Sequence, residues 1–478
     1  MSNERVVRAA LFLLAVLLPL FAASAPLRAQ SRPGAPASDS PIDAFAELLA
    51  ESTRTRWAGQ RVPRRLPVAR PLGATLRIDS VLRPLSVHAD PRAARVALAE
   101  DVLDALEAAA DLLRMTGWSA PAADGGRGGT DGFDLYLADL DGEWMSVRPD
   151  AEAPLSFEDS VASHVVVDPD VDPELLPACV AQAYAEAVLL ATDPAEAPPW
   201  HRATAVWLAW MITGRFGCDE DDVARAMATP ALAPIPDLAT QRGEDGATDD
   251  GRPRSGAGGA VWLALLDAYH SGGTGRLVRD AWQFARQRTW EGHDLRGSPD
   301  LFQVMRAMFP VDSESLDDVL EAVAFSRWQA GTAAAPSFAL RAIPRLAAPA
   351  YAGPFAWASL PRRARVDAPA VRAFGSGYVV VDTREAPPGA SLRVWLRGEY
   401  GTRWSLLAVR LDADGRVLSQ LSAPPRRLPR SYLVVELREP TDHVLLAVTN
   451  LGPRLPDADS IDVNERAFEL VVDRGGAP

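Results

Sequence analysis

The chain has 478 residues, 48% of them hydrophobic, and a formal net charge of −14, which is enough length and apolar content for two or three domains with real cores. An acidic balance argues against nucleic acid and anionic membrane as partners, because phosphate recognition needs basic patches. Every basic residue other than histidine is arginine, a compositional trait to which no function attaches.

Residues 1–29 have the three parts of an export signal: Arg5 and Arg8, an apolar run over 9–23, and small residues leading to a cleavage point after Ala29. That run is too short for a permanent span, and no later stretch reaches the roughly 18 apolar residues a span needs. The mature chain is therefore expected outside the cytoplasm, periplasmic or extracellular, with no membrane span. Residues 30–73 are rich in Pro, Arg and Ser and predict a disordered leader with one short amphipathic piece over 42–51.

A strand is expected over 74–81. Over 91–115 the residues Val96, Leu98, Val102, Leu103, Leu106, Ala110 and Leu113 recur near helical period and predict a long amphipathic helix. A glycine-rich break at 125–132 lacks the Lys-Ser/Thr ending of a phosphate loop. Strands follow at 133–137 and 164–167, then helices at 174–191, 203–213, 259–269, 275–286, 300–308 and 315–327, with an exposed acidic loop over 233–258. Cys179 opens the helix at 174–191 and Cys218 follows the helix at 203–213. If the two helices pack antiparallel, these ends meet, and a Cys179–Cys218 disulfide is expected in an oxidising compartment. Beyond an Ala- and Pro-rich linker at 331–360 the period changes to two. Short β-rich runs at 377–383, 391–397, 405–411, 416–419, 431–437 and 443–449 predict an antiparallel β-sandwich over 361–478.

Phe133-Asp-Leu-Tyr-Leu137, Val165-Val-Val-Asp168, Trp200 and Ala203-Thr-Ala-Val-Trp207 stand in an order that resembles a family of secreted bacterial metallopeptidases of the gluzincin type. Gly258-Gly-Ala-Val-Trp262 and Leu277-Val-Arg-Asp-Ala-Trp282 resemble that family's later helices, and the likeness extends over about residues 90 to 475. The resemblance implies an α+β fold: a mostly helical zincin-like domain with a small mixed sheet over 74–330, followed by the β-sandwich. It also implies a zinc site built from His-Glu-x-x-His on the first helix and a glutamate on the next, since two imidazoles one turn apart converge on one metal. Here the corresponding positions hold Ala181, Gln182, Ala185 and Arg202. Alanine has no donor atom, a glutamine amide does not ionise near neutral pH, and an arginine repels a divalent cation.

No two of the six histidines lie at ligand spacing on one helix. His201, beside Trp200, with Glu186, and separately His164, are the remaining candidates for a metal, acid–base or binding site. The nucleophile pattern Gly-x-Ser-x-Gly is absent. Asp139, Asp141 and Glu143, then Asp168, Asp170, Asp172 and Glu174, have the alternate spacing of calcium loops without completing one, and read as solvated turns. Trp207 and Trp210, with Val206, Leu208 and Met211, predict a core helix. The expectation is a secreted pseudopeptidase that binds a protein or peptide, without cofactor or metal. The alternatives are an active hydrolase with a displaced site, which would use zinc, and an envelope or surface scaffold.

Overall fold

The computed structural model describes residues 69–92, 95–152, 160–194, 196, 198–229, 231, 256–286, 301–308, 316–331, 349–423, 430–452 and 466–475. The export signal, the leader before residue 69, most of the acidic loop at 233–258 and the linker over 332–348 lie outside the described residues.

Helix α1 (Val96–Met115) buries Ala99, Val102, Leu103, Leu106, Ala109, Ala110 and Leu113, the apolar stripe that the sequence period predicts. It packs with the five-stranded sheet β1-β2-β3-β5-β4, made of Leu76–Asp79, Leu85–Ala89, Phe133–Leu137, Val161–Val167 and Met145–Glu152 for β1, β2, β3, β5 and β4. The centre is parallel, β2 against β3 against β5, and the two outer strands run antiparallel. Successive side chains alternate between faces. Val87, Leu135, Leu137, Val165 and Val167 join the helices in one core, while His88, Asp134, Tyr136 and His164 belong to the opposite set. Strand β4 carries Pro149 and charged residues, a composition suited to a sheet edge.

Helix α2 (Leu176–Thr192) buries all its residues except Pro177 and Glu186, the pattern of a helix apolar on every side and enclosed by the core. Helix α3 (Pro198–Thr213) lies against it, with Val206, Trp207 and Leu208 at most 1% exposed. The Cys179–Cys218 disulfide, with its Cα atoms 4.9 Å apart, joins the start of α2 to the turn beyond α3. Helix α4 (Glu220–Ala228) opens with Glu220, Asp221 and Asp222, which complement its positive end. Helices α5 (Gly259–Ser271), α6 (Arg276–Ala285), α7 (Leu301–Met308) and α8 (Leu316–Gly331) follow.

The C-terminal region is sandwich-like. One sheet has the order β11-β10-β13-β8-β6 and the other β12-β9-β14-β7. The strands are β6 (Ala352–Ala356), β7 (Arg362–Val371), β8 (Ser376–Asp382), β9 (Ser391–Gly398), β10 (Trp404–Leu411), β11 (Val417–Ser422), β12 (Arg430–Glu436), β13 (His443–Asn450) and β14 (Arg466–Gly475). Alternate residues of both sheets, among them Val394, Leu396, Leu406, Leu446, Val448 and Leu470, meet in a common core. Helix α8 covers the outer face of the first sheet: Phe325 and Trp328 pack with Tyr378, Leu407, Val409 and Leu445, and Tyr378 Oη donates to Ala324 O at 2.6 Å. Strands β8, β10 and β13 are therefore buried on both faces, whereas β9 and β12 alternate buried and exposed.

Two boundaries differ from the sequence expectation. Arg70, inside the expected leader, is anchored in the N-terminal sheet, and β6, inside the expected linker, pairs in parallel with β8. Both segments are short and proline-flanked, so neither has enough period to announce itself.

Replacing Cys179 and Cys218 together by serine is expected to cost about 3–4 kcal/mol, the value for reopening a loop of this length. Urea denaturation of both proteins measures it.

Candidate functional site

Helices α2 and α3 carry the positions at which the resemblance implies zinc ligands, and the turn after α3 sets Asp219 against both helices. Ala181 and Ala185 are fully buried. Gln182, also fully buried, donates from Nε2 to Asp219 Oδ2 at 2.6 Å, and its Oε1 accepts the Cys218 N–H at 2.9 Å. Arg202 donates from Nε to the same Asp219 oxygen at 2.9 Å and from Nη2 to Oδ1. One carboxylate thus holds an amide and a guanidinium, and the disulfide fixes the turn that carries it. Gly217 is required at that turn: its φ is 69°, and a Cβ there would fall 2.1 Å from Gln182 Oε1.

Burial works against the charge on Arg202, but Asp219, Glu186 and Asp222 outweigh it, so the guanidinium holds its proton more firmly than a free arginine. These residues do not fit a zinc ion. Two positions lack a donor, both ends of the Gln182 amide are engaged, and the fourth position is a cation. Among the described residues no group of three His, Cys, Asp or Glu side chains is arranged to hold a metal.

The other candidates lie on three different elements. His201 is 1% exposed and stands edge-on to Trp282, ring centroids 5.0 Å apart. Glu186 lies close enough to Arg202 to act on its charge. His164 is on β5, in a different cluster. The alternately spaced acids are turn formers: Asp139, Asp168 and Asp172 accept the backbone N–H groups of Asp141, Asp170 and Glu174.

The His164 cluster is the densest group of charges in the N-terminal region. His164 Nδ1 donates to Asp150 Oδ1 at 2.8 Å, and His88 Nε2 donates to Asp134 Oδ1 at 2.8 Å. Arg70 lies between them. It grips Asp150 in bidentate fashion, Nε to Oδ1 at 3.0 Å and Nη2 to Oδ2 at 2.6 Å, and also reaches Asp134, Asp124 and Tyr136 Oη. The Tyr136 ring stacks on His88 with centroids 4.6 Å apart and meets His164 edge-on. The glycine-rich break closes over this group: the N–H groups of Gly126 and Gly128 point at the Asp124 carboxylate, at 2.8 and 3.1 Å. A Cβ at residue 128 would fall 1.6 Å from Asp134 Oδ2, so only glycine permits that approach.

Burial alone would raise the Asp134 and Asp150 carboxyls, but hydrogen bonds and charge from His88 and Arg70, and from His164 and Arg70, hold both below the usual carboxylate range. The two carboxylate–imidazole pairs have the geometry of acid–base dyads. His164 is fully buried and His88 5% exposed, so the pairs are part of the interior of the sheet region. Sequence reasoning found His164 alone. Asp134 and Tyr136 lie within a string used for the resemblance, while Arg70, His88, Asp124 and Asp150 carry no mutual spacing that could have joined them.

In strand β5, Val165, Val166 and Val167 are paired on both sides, by β3 and by β4, so no ligand strand can be added there. The sheet order leaves β4 as the edge beside β5, with β1 at the opposite edge.

No family model matches the chain, and no curated protein does. Among solved structures, the chain is similar to the pre-peptidase C-terminal domain of collagenase from Bacillus anthracis at 9% identity and TM-score 0.17, over 24% of this chain and 90% of that one. It is also similar to the enzymatically active domain of tailspike protein 4 of bacteriophage CBA120, at 9% identity and TM-score 0.17, over 22% of this chain and 15% of that one. Likeness this weak fixes neither fold nor function.

Arg70→Ala leaves three buried carboxylates without their shared cation and is expected to cost about 3–5 kcal/mol in chemical denaturation. Because Asp134 and Asp150 titrate lower in the folded chain than in the unfolded one, their contribution is complete above the unfolded value of about 4 and is lost as the pH falls through the folded values. The thermal midpoint should therefore drop as the pH is lowered below about 4, and Asp150→Asn should drop less steeply over the same interval.

Proposed function

We propose that the chain is an exported, non-catalytic relative of the gluzincin-type metallopeptidases that binds an extended peptide or protein segment without cleaving it. The observation that carries this reading is the use of Gln182 and Arg202 on Asp219, beside the buried Ala181 and Ala185. Zinc peptidases polarise a water with a metal and a carboxylate; here an ion pair and an amide hydrogen bond take those positions, and the turn is tied to α2 by a disulfide.

A substrate strand has a physical counterpart in the free edge of β4, whose outer backbone groups have no strand partner among the described residues. Addition of an extended segment to a sheet edge supplies main-chain hydrogen bonds, and pockets for alternate side chains supply selectivity. Binding of that kind requires no turnover and no cofactor.

Metal analysis of the purified chain by mass spectrometry, with a zinc titration followed by thermal melting, tests the reading. The expected result is no bound zinc and no change in midpoint; about one tightly held zinc per chain would overturn it. Gln182→Glu should not create zinc binding, since the alanines and Arg202 remain. It should instead destabilise the chain by about 1–3 kcal/mol, because a second carboxylate would face Asp219 in place of a donor.

A further inference from the structure

The two sheets of the C-terminal region are treated differently by the rest of the chain. Helix α8 covers the outer face of one. On the other, none of the described elements lies over the solvent-facing residues of β9 and β12, which keep the alternation of a sheet with one wet side.

That wet face carries large aromatic rings. Trp395 and Tyr432 are direct cross-strand partners, 38% and 41% exposed, with ring centroids 5.3 Å apart and planes inclined by 38°. Such rings offer a broad, rigid recognition surface at low entropic cost.

Arginines flank the rings on the same face. Arg393 and Arg397 lie two residues to either side of Trp395, and Arg430 pairs in register with Arg397. All three are exposed and have no ion pair among the described residues. Glu469 and Asp473 stand opposite Arg397 and Arg393 in register, but each is engaged elsewhere: Glu469 pairs with Arg363 at 3.0 Å, and Asp473 accepts the Arg474 N–H at 2.7 Å. Glu436, at the end of β12, pairs with Arg438 at 2.7 Å. A chain of net charge −14 thus presents three guanidinium groups, without a salt bridge among the described residues, around two aromatic faces.

We propose that this face binds an acidic polysaccharide. The apolar face of a pyranose ring stacks on Trp395 and Tyr432, and carboxylate or sulfate groups along the polymer are met by Arg393, Arg397 and Arg430, whose planar forks match such anions. The ring spacing is comparable to the advance of one sugar along a chain. Strand β9 is paired on both sides, by β12 and β14, so a ligand over Trp395 is read by side chains rather than by strand addition. That favours a polymer of rings and anions over a peptide. The assignment is independent of the peptide-binding reading for β4.

Affinity electrophoresis of the full chain in gels containing polygalacturonate, dextran sulfate or neutral dextran is the test, with polyglutamate as a competitor. The expected result is retardation by one or both anionic polysaccharides and none by dextran. Retention by polygalacturonate alone identifies uronates as the anion, and by dextran sulfate alone, sulfate esters. Trp395→Ala should weaken binding about tenfold, as should Arg393→Gln combined with Arg397→Gln; the arginine pair should leave the thermal midpoint unchanged because both side chains are exposed, whereas Trp395→Ala should lower it slightly through loss of the Tyr432 contact. Absence of retardation by either anionic polymer, or full binding by Trp395→Ala, would overturn the proposal. Competition by polyglutamate as strong as by the polysaccharides themselves would also overturn it, by marking the face as a site for an acidic protein.

Discussion

A carboxylate taken out of water must meet a cation or a set of donors, and the N-terminal sheet is arranged around one such demand. Asp124, Asp134 and Asp150 converge on Arg70, with His88 and His164 supplying further donors. Their joint burial lets the sheet be covered on both faces: helices close one side by apolar contact, and the charge network with its glycine-rich cap closes the other. Such networks are costly when incomplete, so each member constrains its neighbours. The segment leading into β1 is tied to β3 and β4 by a single side chain, Arg70, while β1 itself takes its register from β2.

The helical layer meets the same demand on a smaller scale. Asp219, 4% exposed, is satisfied by Gln182 and Arg202, and the group sits against the disulfide. On the proposed reading, a metal centre that would hold two helices through coordinate bonds has given way to an ion pair, an amide hydrogen bond and a covalent link between the same elements. The mechanical role of the centre is kept while its Lewis acidity is gone. Peptide binding would then depend on the edge of β4, with the helix pair serving as its support.

Much of this was legible from the residues. The period of α1, the aromatic run of α3, the strand rhythm between residues 377 and 449 and the Cys179–Cys218 pairing follow from local pattern and from antiparallel helix packing. What local pattern could not supply were contacts between distant segments. Strands β7 and β14 begin with arginines and carry mixed faces; they are strands because β9 and each other provide partners. Arg70 reads as one more arginine in a polar, Pro-rich stretch, and only the folded sheet reveals three carboxylates around it. At the site, the absence of zinc-binding side chains at the positions the resemblance implies could be read directly, but the carboxylate that engages Gln182 and Arg202 could not, because Asp219 has no sequence spacing that links it to either.

Helix α8 belongs by sequence to the helical part of the chain, yet its Phe325 and Trp328 complete the apolar packing of a C-terminal sheet. The division between the two regions therefore does not coincide with a break in the hydrophobic interior. A chain nicked by a protease between residues 331 and 349 would still be held together non-covalently, as two fragments that share a core. Expressed apart, each fragment would carry a bared apolar surface, so the β-rich region would not serve as an interchangeable module without the helix that precedes it.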